Sequence, residues 1–302
     1  MKNQKLFRAF VPLYYFPYQD STIPRHKILK IGIFKNPPKL KGLERELSKA
    51  EFEELRSTPY WLTFEYNKSK IWDDSNITIL FLVALWLEVP TKTHAMHLFE
   101  LSTDENSKEN AFTRCLDRFQ WNRKHVIRDI TSENVKNAFR NFDLLVPIWK
   151  RKKRLSDALI MTVAGCMSYR WQIAYISFAS AVETLLTYKE GAGIKRRLAK
   201  SYACLMETNT KKRNAEYKKF RKLNKIRSDI IHGRIRRIAR TTKHKADKRL
   251  TLLAVFSSLL RNLCGKILVN EFIVYELEKG DNLRKLFFDK IEMGYNPPKV
   301  KI

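Results

Sequence analysis

Arg227 and His232 are the residues of this chain best suited to chemistry. They stand five apart in the stretch Lys225-Ile226-Arg227-Ser228-Asp229-Ile230-Ile231-His232-Gly233. Histidine is the side chain whose ordinary titration falls near neutral pH, so it can take a proton or give one. Arginine keeps its charge and presents a planar fork of donors that suits phosphoryl oxygens. Together they fit metal-free cleavage of RNA. In that reaction the 2′-hydroxyl attacks the adjacent phosphorus and loses its proton, and another proton reaches the departing 5′ oxygen. The growing negative charge needs a fixed cation. The expected product is a 2′,3′-cyclic phosphate.

The surrounding sequence says how such a pair would be held. Phe220, Leu223, Ile226 and Ile230 recur at helical spacing and predict one buried stripe on a long basic helix over residues 212–231. Arg227 and His232 flank that stripe. Five residues of helix advance about 7.5 Å, a gap that an arginine side chain can largely close. Gly233 suits a helix end. An R-x4-H spacing alone is weak, because any basic chain contains such pairs. The plain alternative is that Arg227 pairs with an acid and His232 caps a helix.

Charge points the same way as the motif. The 302 residues hold 59 Lys and Arg against 31 Asp and Glu, a net charge of +28. Half of that excess lies in residues 211–249, where 17 basic residues face three acids, a balance of +14. A charge run can be no more than a solvated face, but an excess this uneven is the electrostatic footprint expected of a polyanion binder. The expected RNA contacts are Lys222, Lys225, Arg234, Arg236, Arg237 and Arg240. No G-x-x-x-x-G-K-S/T or G-x-G-x-x-G pattern supports nucleotide hydrolysis or dinucleotide redox chemistry. No cofactor and no metal site is expected. His94 and His97, read as part of a strand, would point to opposite faces.

Two helices upstream extend the motif into a resemblance. Residues 173–186 end in Ala181-Val182-Glu183-Thr184-Leu185-Leu186, and Arg197-Leu198-Ala199 opens a second pattern running to Ala203. With Arg227-Ser228-Asp229-Ile230-Ile231-His232 following, residues 134–277 resemble the HEPN superfamily, in particular its Apea-like branch. The resemblance implies an up-and-down helical bundle that forms a homodimer, with the two motifs facing each other across a groove that receives RNA. It implies an endoribonuclease of antiviral defence or toxin type, acting on host or viral transcripts or tRNA. Other members of the superfamily only bind or scaffold. His232 would be the acid/base and Arg227 the phosphate clamp, with Ser228 or Asp229 orienting them. Glu183 would hold Arg227 or take part in an internal ion pair.

The fold class expected is α+β, a small α+β domain followed by an all-α bundle. Strands are predicted over Leu6–Phe16, Ile28–Phe34, Trp61–Tyr66 and His94–Leu101, and a short helix over Leu43–Leu55. The apolar run Ile77–Val89 fits a buried helix better than a strand, and it is too short to span a bilayer. The domains expected are 1–105, a linker 106–131 with a short helix from Asn110 to Phe119, and 132–302. In the last of these, helices are read from Ser132 as N-cap, over Asp157–Met167, Ala174–Tyr188, Ile194–Met206, Leu250–Leu277 and Asn282–Ile291. Four scattered cysteines without a C-x-x-C pair argue against a disulfide framework, and no signal peptide is visible, so a cytoplasmic protein without membrane attachment is expected.

Overall fold

Strand β1 (Leu6–Pro12) is the centre of an antiparallel five-stranded sheet. Its neighbours are β3 (Tyr60–Asn67) and β4 (His97–Ser102), with β2 (Lys30–Ile33) and β5 (Phe112–Cys115) at the edges, giving the order β2-β3-β1-β4-β5. The computed structural model describes the chain apart from residues 1–5, 34–46, 68–70, 92, 96, 103–111, 116–127, 152, 169, 189–192, 235–244, 299, 301 and 302.

The register follows from alternation. Phe7, Ala9 and Val11 pair with Tyr66, Phe64 and Leu62, and all six side chains are buried on one face. The intervening pair Arg8 and Glu65 forms an exposed ion pair at 2.6 Å. The other face carries a cluster of Phe10, Tyr14, Trp61 and Phe99. Leu55, from helix α1 (Lys49–Arg56), packs into it. Ser48 and Glu51 cap that helix reciprocally.

Two expectations for this region need correction. Residues 112–115 form an edge strand, not part of a short helix. A four-residue segment is too short to carry a periodicity of its own. His94 precedes β4, and both histidines meet Tyr14. His94 stacks on its ring at 5.4 Å, and His97 approaches edge-on at 6.5 Å with its Nδ1 3.3 Å from the Tyr14 hydroxyl. The apolar run is helical, as its length suggested, and belongs to α2 (Ile71–Glu88).

Helix α3 (Ser132–Arg151) starts one residue earlier than its sequence cap implied. Thr131 and Asn134 hold each other's backbone N–H, so Thr131 is the cap. The Ser132 hydroxyl instead donates to the Thr22 carbonyl at 2.8 Å. The chain divides into two units, residues 1–142 and 143–302, so the division falls inside α3 and not across residues 106–131. The first part of α3 belongs with the sheet: Phe139 contacts Phe81 of α2 and His26, and Asn141 donates to Glu88 at 2.6 Å.

The second unit is helical: α4 (Lys153–Met167), α5 (Trp171–Leu186), α6 (Ile194–Met206), α7 (Thr210–Ile231), α8 (Lys245–Leu268), α9 (Glu271–Glu278) and α10 (Asp281–Glu292). The whole chain is therefore α+β. The long helix expected over Leu250–Leu277 is broken at Asn270, whose side chain caps α9 by accepting from Phe272 and Ile273. Thr251–Leu268 has the length and hydropathy of a membrane span. Its Phe256, Leu260, Leu263 and Ile267 are nonetheless buried among the other helices. Cys166, Cys204 and Cys264 are buried free thiols.

Helix α5 is the hub of this unit, with buried residues on most of its circumference. Close approach to α4 depends on Gly165, where an added Cβ would lie 2.5 Å from the Phe178 ring and 3.2 Å from the Ala174 carbonyl. Gly165→Ala is expected to lower stability by about 1–3 kcal/mol through overpacking, read as a reduced midpoint in urea with an unchanged slope.

Candidate nucleic-acid interface

Helix α7 carries nine Lys or Arg residues in Thr210–Ile231, and its position is set by its few apolar ones. Asn209 starts it by accepting from the N–H groups of Lys211 and Lys212 at 3.0 and 3.2 Å. Phe220, Leu223 and Ile230 are buried, as the spacing predicted, while Ile226 is half-buried. The Phe220 ring stacks on Tyr202 of α6 at 4.9 Å. The Tyr175 hydroxyl of α5 donates to the Leu223 carbonyl at 2.7 Å. That bond ties the middle of α7 to the hub of the unit.

The helix ends where the sequence placed its end. The Gly233 N–H donates to the Ile230 carbonyl at 3.1 Å, and the Arg234 N–H to the Asp229 carbonyl at 2.8 Å. This is a Schellman cap, and Gly233 takes the left-handed φ of +66° that it requires. His232 is the C-cap residue and its side chain is exposed. The imidazole makes no hydrogen bond to any described residue.

Arg227 takes the other course. It meets Glu183 of α5 at 2.6 Å, with both side chains about three-quarters buried. Its Nε is buried without a partner. No hydrogen bond or ion pair joins Arg227 to His232. At roughly 100° per residue the two project from sides of α7 about 140° apart.

Between α7 and the start of α6 lies an open groove of about 680 Å³. Six cations line it: Lys195, Lys218, Arg221, Lys222, Lys225 and Arg234. Tyr217, Asn224, Ser228 and Asp229 complete the lining named here. Lys195 reaches across from α6 to bond the Ser228 hydroxyl at 3.0 Å. Of the residues singled out in the sequence, Lys222, Lys225, Ser228, Asp229 and Arg234 are therefore groove residues. Arg227 and Glu183 form a separate pair facing the hub. Continuing the helical rotation places His232 on the groove side, one turn beyond Ser228. Arg236, Arg237 and Arg240 lie outside the described residues.

Sequence reading missed Lys195, Tyr217, Lys218, Arg221 and Asn224. Four of them were findable, because 217/218, 221/222, 224/225 and 228/229 repeat at three- to four-residue spacing on one side of α7. Lys195 was not, since only packing brings α6 beside Ser228. No protein-family model, curated protein or solved structure gives a match to this chain.

Three outcomes follow for stability. Gly233→Ala forces a Cβ into the left-handed region and should cost about 1 kcal/mol, measured by thermal or urea unfolding. Glu183→Ala leaves a mostly buried guanidinium unpaired and should cost about 1–3 kcal/mol in the same assay. Removing both Glu183 and Arg227 should cost less than the sum of the single changes.

Proposed function

We propose that this chain is a metal-independent endoribonuclease of HEPN type, used in defence or as a toxin. The observation that carries the reading is an exposed imidazole, unbonded among the described residues, at the end of the helix that forms one wall of a six-cation groove. The groove would hold the phosphates of the strand, and His232 would stand where the strand leaves it. In the reaction the O2′–P bond forms and the P–O5′ bond breaks. One proton leaves O2′ and one reaches O5′, and an imidazole can serve either transfer. Arg227 would neutralise charge on the phosphoryl oxygens, with Glu183 holding its guanidinium in one orientation. A homodimer, as the resemblance implies, would supply a second imidazole for the second proton.

A non-catalytic RNA-binding module is the second reading. It is favoured by the commitment of Arg227 to Glu183, which leaves that guanidinium out of the groove lining.

The deciding experiment incubates the purified chain with end-labelled RNA in the presence of a chelator. Cleavage with 2′,3′-cyclic phosphate ends, lost by at least about a hundredfold in His232→Ala, is the expected result. Equal cleavage by His232→Ala, or cleavage that stops with chelator, removes this mechanism. Binding without any product leaves the second reading. In either case affinity should fall with salt, with a log–log slope approaching about −4 if all six groove cations meet phosphates on a single strand.

A further inference from the structure

The charges of the α7 groove explain how it would attract a polyanion, but one of its residues serves no such purpose. Asn224 lines the groove, is 5% exposed, and has a side-chain Nδ2 without any hydrogen-bond partner. A buried amide N–H with no acceptor carries the full desolvation cost of the group, so native structures rarely keep one idle. An acceptor that arrives with a ligand would relieve it. The carboxamide torsion is soft, so the amide can turn toward the groove at little cost.

The chemistry of the ligand follows from what is already present. Phosphate oxygens have six cations available to them. A neutral carboxamide adds something different, a donor and an acceptor side by side, which is the complement of a nucleobase edge. Adenine, with a ring-nitrogen acceptor beside an exocyclic amine, is the base that Asn pairs with in two-bond fashion. Two turns away on the same side stands Tyr217, half-buried, with the Arg221 guanidinium 5.8 Å from its ring centre. An aromatic ring in that place offers a stacking surface for a neighbouring base. Such access requires unpaired bases, since that edge of adenine lies in the deep, narrow major groove of an RNA duplex, where a side chain cannot read it.

We infer that the groove takes single-stranded RNA and that Asn224 reads one of its bases, with adenine preferred. The inference rests on the reading of the groove as an RNA site. Asn224 is then a specificity-determining residue, separate from the residues assigned to cleavage.

The test measures binding of labelled oligoadenylate and oligouridylate to the full chain by fluorescence anisotropy, in the His232→Ala background so that cleavage does not intervene. Oligoadenylate should bind about tenfold more tightly. Asn224→Leu, which keeps the volume and removes the amide, should abolish that preference while leaving oligouridylate affinity and the salt slope unchanged. It should melt no lower than the parent, and Asn224→Ala run beside it gives the same reading if the leucine disturbs the fold. Equal affinity of the parent for both oligomers overturns the inference, as does a preference that survives both variants; the RNA-site reading stands in either case. Displacement of the oligomer by an equal concentration of AMP overturns it in favour of a free-nucleotide site. Absence of binding to any oligomer removes the RNA-site reading and this inference with it.

Discussion

Helix α7 has to stay folded against its own charge. Lys218 and Lys222, and Arg221 and Lys225, are like charges one turn apart, and each such pair disfavours the helix by a few tenths of a kcal/mol. The one acid among the groove residues, Asp229, does not balance their six cations. The opposite side offsets the repulsion, through Phe220, Leu223 and Ile230 in the core and the Tyr175–Leu223 hydrogen bond. Tertiary packing thus holds a helix that its surface sequence would destabilise, and the repulsion stays concentrated along the groove. A polyanion lying in the groove would relieve it.

The two halves of the R-x4-H motif are consequently put to different uses. Arg227 lies on the same side of the helix as Phe220 and Leu223, where it pairs with Glu183 of α5. Its Nε remains buried and unpaired, so the ion pair satisfies only part of the guanidinium. His232 has no such partner among the described residues, and the Schellman cap ends the helix directly after it. One residue is oriented by packing and the other is left open to whatever approaches.

The first unit is organised on different physics. Its sheet is two-sided, with Phe7, Ala9 and Val11 on one face and the Phe10–Trp61–Phe99 cluster on the other. The central strand β1 is bordered by β3 and β4, which leaves the short strands β2 and β5 at the edges. The Tyr14 hydroxyl, beside His97, is held in its protonated form well beyond the usual tyrosine range by burial and by the nearby charges of Glu54 and Glu51. Tyr15 next to it adopts a positive φ of 51°, an uncommon backbone state for a residue with a side chain, and stacks on His94.

Much of this architecture was legible before any coordinates. The α+β class, four of the five strands and the buried character of residues 77–88 followed from alternation and run length. The helix end at Gly233 followed from local chemistry, since caps are decided within a few residues. Strand β5 escaped notice because a short edge segment is defined by its partner and not by its own pattern. The break at Asn270 escaped because an apolar period continues across it, and only the side-chain cap interrupts the backbone.

The candidate site divides in the same manner. Sequence alone determined that Arg227 and His232 stand on different sides of a highly basic helix with one apolar stripe, because helical periodicity fixes azimuth from spacing. Tertiary structure decided what each faces: Glu183 for the arginine, solvent for the histidine, and Lys195 for Ser228. Those outcomes depend on residues 33 to 44 positions away, which no local period encodes.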